Sequence, residues 1–165
     1  MMKKSFLLLL FACAFLLAQG QANAQEAKVQ FILRIEGLNF AEPFAECSGL
    51  GSQNEIIEHH IVSPNGEDFI RKIPGRLRLF EITCRRTVTA NRSLWTWRKL
   101  IEDGSVDYAR QNGEIILADS KGVAIARWVF FAGWPSSLKI SDKDFREEVV
   151  LTVEDLERAH CYERR

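Results

Sequence analysis

Cys47, Cys84 and Cys161 are the side chains with most chemistry to offer, because a thiol can ligate a metal, attack an electrophile or pair oxidatively. Metal binding needs ligand pairs at spacings such as C-x₂-C or H-x₃-H, and neither occurs. His59 and His60 are adjacent, so on a strand they point to opposite faces, and His160 stands alone beside Cys161. No metal site is expected. Nucleophilic catalysis lacks its motifs too: Gly-x-Ser-x-Gly, a P-loop and His-Glu-x-x-His are all missing. Carboxylate pairs such as Glu147-Glu148 and Glu154-Asp155 read as surface charge. The expectation is a protein that is not an enzyme and carries no cofactor.

Oxidative pairing remains, and it depends on a hairpin. Asn65-Gly66 is a strong hairpin signal, since a type I′ turn needs φ > 0 at both central residues. Counting outward from it sets Val62 opposite Phe69, Ile61 opposite Ile70 and, far down the arms, Cys47 opposite Cys84. The count holds only if irregularities at Gly49-Gly51 and Pro74-Gly75 cancel, because a one-residue slip turns a side chain to the other face. A disulfide and two separate buried thiols both stay open, and an oxidising compartment would favour the bond.

Period-2 alternation of Val29, Phe31, Leu33 and Ile35 predicts a strand over residues 29–35. Extended stretches follow over 45–62 and 69–88. Leu94, Trp97 and Ile101 then fall at helical spacing, with Thr89 or Asn91 to cap and Gly104 to stop. Strands are expected over 108–118, over 123–132 until Trp134-Pro135 ends it, and over 148–153 with an extension toward Tyr162. The pattern is mainly β with one α-helix. Trp95, Trp97, Trp128 and Trp134 are expected to pack in the core rather than stack on a ligand. The basic run of Arg71, Lys72, Arg76, Arg78, Arg85 and Arg86 reads as a solvated strand face, since 22 basic and 22 acidic residues balance.

Lys3 and Lys4 precede an apolar stretch over 6–18, which closes on Ala22-Asn23-Ala24 before Gln25. That order of charge, apolar run and small-x-small site predicts a cleaved signal peptide over residues 1–24 and one domain over 25–165. The run is shorter than the roughly 18 residues that a spanning helix needs. Export to the periplasm or beyond is expected, with no membrane span after cleavage. An odd number of cysteines enters that compartment.

From Phe44 onward the landmarks resemble the tail tube protein family of contractile-tailed phages and phage-like contractile injection systems. Phe44 to Leu50 is similar to its opening Ser-Gly-Leu segment, Arg71-Lys72-Ile73-Pro74-Gly75 to its basic bend, and Ile82 to Thr89 to its Thr-rich basic strand end. Leu94-Trp95-Thr96-Trp97 is similar to its helix, and Arg110 to Ile115, Ala126-Arg127-Trp128, Ala132 to Pro135 and Leu156 to His160 to later landmarks. The resemblance implies a small β-barrel or split β-sandwich and self-association into hexameric rings that stack as a conduit. Sheath or baseplate-like partners are implied, with nucleic acid as transported cargo at most. In relatives two long hairpins per subunit build the inner barrel, here about 45–88 and 123–162. Strands near 56–62 and 77–88 are therefore expected to pair across subunits, with Glu58, Glu81 and Arg85 facing the lumen or a ring interface. Departures from the family are the signal peptide, Cys47 and Cys84 at usually apolar positions, and Thr87 at a usual glycine. The alternative function is a secreted or periplasmic binding or adaptor module that keeps the fold without stacking.

Overall fold

The computed structural model describes residues 29–38 and 40–161, so the signal segment and Tyr162 lie outside the described residues. Strand β1 (Gln30–Ile35) buries Leu33 and Ile35 and turns Arg34 outward, as its alternation dictates. A 3₁₀ turn (Glu36–Leu38) leads into β2 (Phe40–Phe44), which returns along β1 with Ile35 opposite Phe40 and Phe31 opposite Phe44. Phe40 and Phe44 are buried.

The chain goes on through β3 (Glu46–Ser48), β4 (Ser52–Val62), β5 (Asp68–Leu79) and β6 (Ile82–Thr87) to helix α1 (Ser93–Glu102). Asn91 Oδ1 accepts the Ser93 N–H at 2.8 Å at the start of α1. At its end the Gly104 N–H bonds Ile101 O and the Ser105 N–H bonds Leu100 O, the paired closure of a Schellman motif. One helical turn, α2 (Val106–Ala109), precedes β7 (Gln111–Ala118), β8 (Ala124–Ile140), β9 (Arg146–Thr152) and β10 (Asp155–Ala159).

Pairing follows the path β2-β1-β7-β8-β9-β6-β3, with β10 also on β8 and with β4-β5 as a separate two-stranded sheet. Two stretches change partner along their length. The first half of β8 pairs with β7 and β10, its second half with β9. Residues 40–48 pair with β1 before Ala45 and with β6 after it. The result is two layers bridged by strands that cross from one to the other, a split sandwich whose sheets do not close into a barrel. Leu33, Ile35, Phe44, Ile115 and Phe130 meet Ile82, Cys84, Val149 and Leu151 between the layers, and Leu94 and Trp97 of α1 join them.

Four details correct the sequence reading. Trp134-Pro135 does not end a strand: β8 continues to Ile140, with Pro135 opposite Leu151 and a register shift between Pro135 and Ser137 that accommodates the missing N–H. Tyr108 and Ala109 are not extended, because the α2 turn brings the Ala109 carbonyl to Trp97, whose Nε1 donates to it at 2.7 Å. The last strand breaks after Thr152, so that β10 lies on β8 instead of prolonging β9. The hairpin turn is wider than the two-residue type I′ form. Gly66 N–H bonds Ser63 O, Pro64 occupies the second turn position and Gly66 takes φ 79°, so a type I turn ends in a glycine bulge. Asn65 does not take the positive φ that a type I′ turn needs at both central residues, which decides between the two turns.

Candidate assembly interface

That turn shifts the register by one residue at the tip, where Val62 faces Asp68 and Ile61 faces Phe69. A bulge between Asn54 and Ile56, opposite Gly75 and Arg76, removes the offset, and Asn54 faces Leu77. Cys47 therefore still stands opposite Cys84, and the two sulfurs are 2.00 Å apart in a disulfide.

Strands β4 and β5 pair only with each other, so this hairpin is an arm whose two outer edges carry no partner among the described residues. Alternation puts Ile57, Ile61, Phe69 and Ile73 on one face and Ile56, Val62, Ile70 and Leu77 on the other. Ile56 is 71% exposed and Val62 66%. A sheet with one dry and one wet face would be polar on one side, whereas this arm is apolar on both. Ion pairs between Glu58 and Lys72 (3.7 Å) and between Glu55 and Arg78 lie in water and add little stability. A lone two-stranded hairpin is marginal in water, and covering one such aliphatic side chain contributes about 1.5–3 kcal/mol.

The arm meets the body at a neck. Gly49 has φ 78°, and a Cβ there would lie 2.0 Å from Glu81 O, so only glycine fits. The Gly51 N–H bonds Gly49 O, and the Phe80 N–H bonds Gly51 O. Just below, Arg85 reaches outward between Glu148 (2.7 Å) and Glu46 (3.5 Å), and the Glu148 hydrogen bond and charge hold its guanidinium above its ordinary pKa.

Arg86 points inward from the next position. Its Nε donates to Glu147 Oε2 at 2.7 Å and its Nη1 to Glu42 Oε2 at 3.1 Å, while Trp95 Nε1 donates to Glu147 Oε1 at 2.9 Å. Asn91 Nδ2 completes the line at Glu42 Oε1. Arg86 lies 5.0 Å from the Phe44 ring centre and 5.8 Å from that of Phe40, and its Nη2 is buried without a partner. This network ties β2, β6, β9 and the start of α1 together beneath the neck. Sequence reading placed Arg86 on a solvated face; the alternation of β6, in which Ile82 and Cys84 turn inward, is the signal that would have found it.

Glu58 lies on the arm, Glu81 in the neck and Arg85 on the body, all exposed, so they form a succession and not a cluster. Trp97 is fully buried and Trp128 and Trp134 are half-buried, but Trp95 is 42% exposed and is not a core residue. β6 is paired on one side with β3 and on the other with β9, so residues 82–87 offer a neighbour no free run of edge. Only residues 77–79 of the expected 77–88 lie on an open edge. Among the described residues no group of three or more His, Cys, Asp or Glu is placed to hold a metal, and no helix is long and apolar enough to cross a membrane.

A family model described as T4-like virus tail tube protein gp19 matches residues 27–162. The comparison with curated proteins gave no match. Solved structures with the same fold include the sheath-tube complex of PVC, an extracellular contractile injection system, in its extended state. That likeness has 22% identity, covers 85% of this chain and 93% of that chain, and has a TM-score of 0.62. The tube terminating cap of the anti-feeding prophage is 20% identical, with 84% and 92% covered and a TM-score of 0.59. A chain of the anti-feeding prophage baseplate is 13% identical, with 84% and 97% covered and a TM-score of 0.60.

Proposed function

The chain belongs to the T4-like virus tail tube protein family, and from that premise we propose that it is an exported structural subunit that assembles into six-membered rings, stacked as a conduit. The observation that carries this reading is the arm, with two unpaired edges and apolar side chains on both faces. Such an edge in water is a template for another chain, and closing a ring is one way to remove it. The outer edges of β4 and of residues 68–79 in β5 are the ones offered to neighbouring copies. Glu58, Glu81 and Arg85 remain exposed and line the water-filled side of the ring. Sheath-like and baseplate-like proteins are the further partners, on the analogy of the PVC and anti-feeding prophage assemblies. Nucleic acid, if it is a partner at all, enters only as cargo.

Light scattering and negative-stain imaging of the chain from Gln25, over a concentration series, test the proposal. Rings that grow with concentration are expected. Monomers at every concentration overturn it and leave the adaptor module as the reading.

A further inference from the structure

The root of the arm is slight for what it carries. β3 is a three-residue edge strand held to β6 by the pairs Glu46–Arg85, Cys47–Cys84 and Ser48–Thr83. Directly beyond it the chain departs into an 11-residue strand and returns along a 12-residue one. Only Leu50 and Leu79, half-buried against the core, add apolar packing at the junction. Short edge strands open at low cost, and opening here would free the arm to swing. The disulfide closes the loop that contains the whole arm, with a sequence separation of 37.

We propose that the Cys47–Cys84 bond is an assembly lock: its formation fixes the arm on the body in the orientation that ring closure needs, so the oxidised subunit assembles at a lower concentration than the reduced one. This rests on the ring reading above. The oxidant is a small or protein disulfide. One cysteine thiolate attacks it and releases the first oxidant thiol; the other cysteine attacks the mixed disulfide, forms the Cys47–Cys84 bond and releases the second. Two electrons and two protons pass from the pair to the oxidant, which leaves as two thiols.

Burial gives the lock a direction. Cys84 is fully buried among Ile82, Val149 and Leu151, whereas Cys47 is half-buried. A reductant reaches the Cys47 sulfur first and must expel Cys84 as a thiolate into apolar surroundings, which disfavours the charged leaving group. The bond is therefore set as the chain folds and is not toggled in the folded subunit. A reducing compartment keeps the arm loose, and an oxidising one fixes it.

The test uses the chain from Gln25 with Cys161→Ser, so that the third thiol cannot mispair. Oxidised protein, protein folded under a phosphine reductant and the Cys47→Ala/Cys84→Ala variant are compared by hydrogen exchange and by light scattering. The informative amides are Ala45, bonded to Arg85 O, and Phe80, bonded to Gly51 O, with the β1-β7 ladder as the core reference. Without the bond, the neck amides are expected to exchange about tenfold faster or more while the core stays protected. The concentration at which rings form should rise about tenfold or more, following the cost of holding a locally open root shut. Equal neck exchange and equal assembly in all three overturn the lock. Oxidised protein that never assembles overturns the ring reading alone, and neck exchange then still decides whether the bond fixes the arm. Should the double variant lose core protection as well, the reduced wild-type cysteines, with both sulfurs in place, carry the comparison.

Discussion

Two tryptophans two residues apart on α1 have opposite environments. Trp97 is fully buried and donates to Ala109 O, so its side chain holds both the helix and the following turn. Trp97→Ala should cost about 3–5 kcal/mol, read as a lower denaturation midpoint, and an unchanged midpoint would contradict the burial. Trp95 sits roughly on the opposite side of a helix with 3.6 residues per turn, and its ring is partly in water. The stripe of Leu94, Trp97 and Ile101 already excluded it, so its surface place was legible in the spacing even though it was grouped with the core. What the spacing does not reveal is its partner, Glu147, because that residue comes from a strand 52 positions away. Glu147 also neutralises the buried Arg86, and these two are only 2% and 3% exposed. Glu147→Ala should therefore cost about 3–5 kcal/mol by leaving the guanidinium with Glu42 alone, whereas Trp95→Phe should cost about 1 kcal/mol. Thermal or chemical denaturation of the two variants checks the ranking.

At the scale of elements, local signals were readable and relay points were not. Alternation set out β1 and the paired arms, the same signal in β6 went unused, and the Cys47–Cys84 register emerged because a tip offset and a mid-arm bulge compensate. β2 went unread because Pro43 lies in its middle, and a proline normally argues against a strand. The course of β8 through Pro135 was hidden for the same reason: what keeps it extended is β9 beside it, a partner that local sequence does not display. The arm raises the converse case, an element whose apolar positions have no partner within the subunit. Ile57→Glu with Phe69→Glu, on the face away from Glu58, should leave the stability within about 0.5 kcal/mol of wild type, because both side chains are exposed. The same pair should abolish ring formation in light scattering. A large loss of stability would mean that the arm packs on its own body, and unaltered rings would exclude that face of the arm from the interface.

For the whole molecule, the proposed export and assembly would set an order of events. A ring cannot thread through a translocation channel as an extended chain can, so a subunit with open apolar edges has to reach its compartment before its copies close on one another. The Lys3-Lys4, apolar run and Ala22-Asn23-Ala24 sequence, read as a signal peptide, would meet that requirement by addressing the chain before it folds. Intact-mass measurement of protein recovered outside the cytoplasm should then begin at Gln25. Ala22→Leu with Ala24→Leu should block cleavage, since both small positions of the site are lost, and full-length precursor should accumulate at the membrane. Wild-type chain found uncleaved and only in the cytoplasm would overturn export, and would return the protein to assembly in the compartment where it is made.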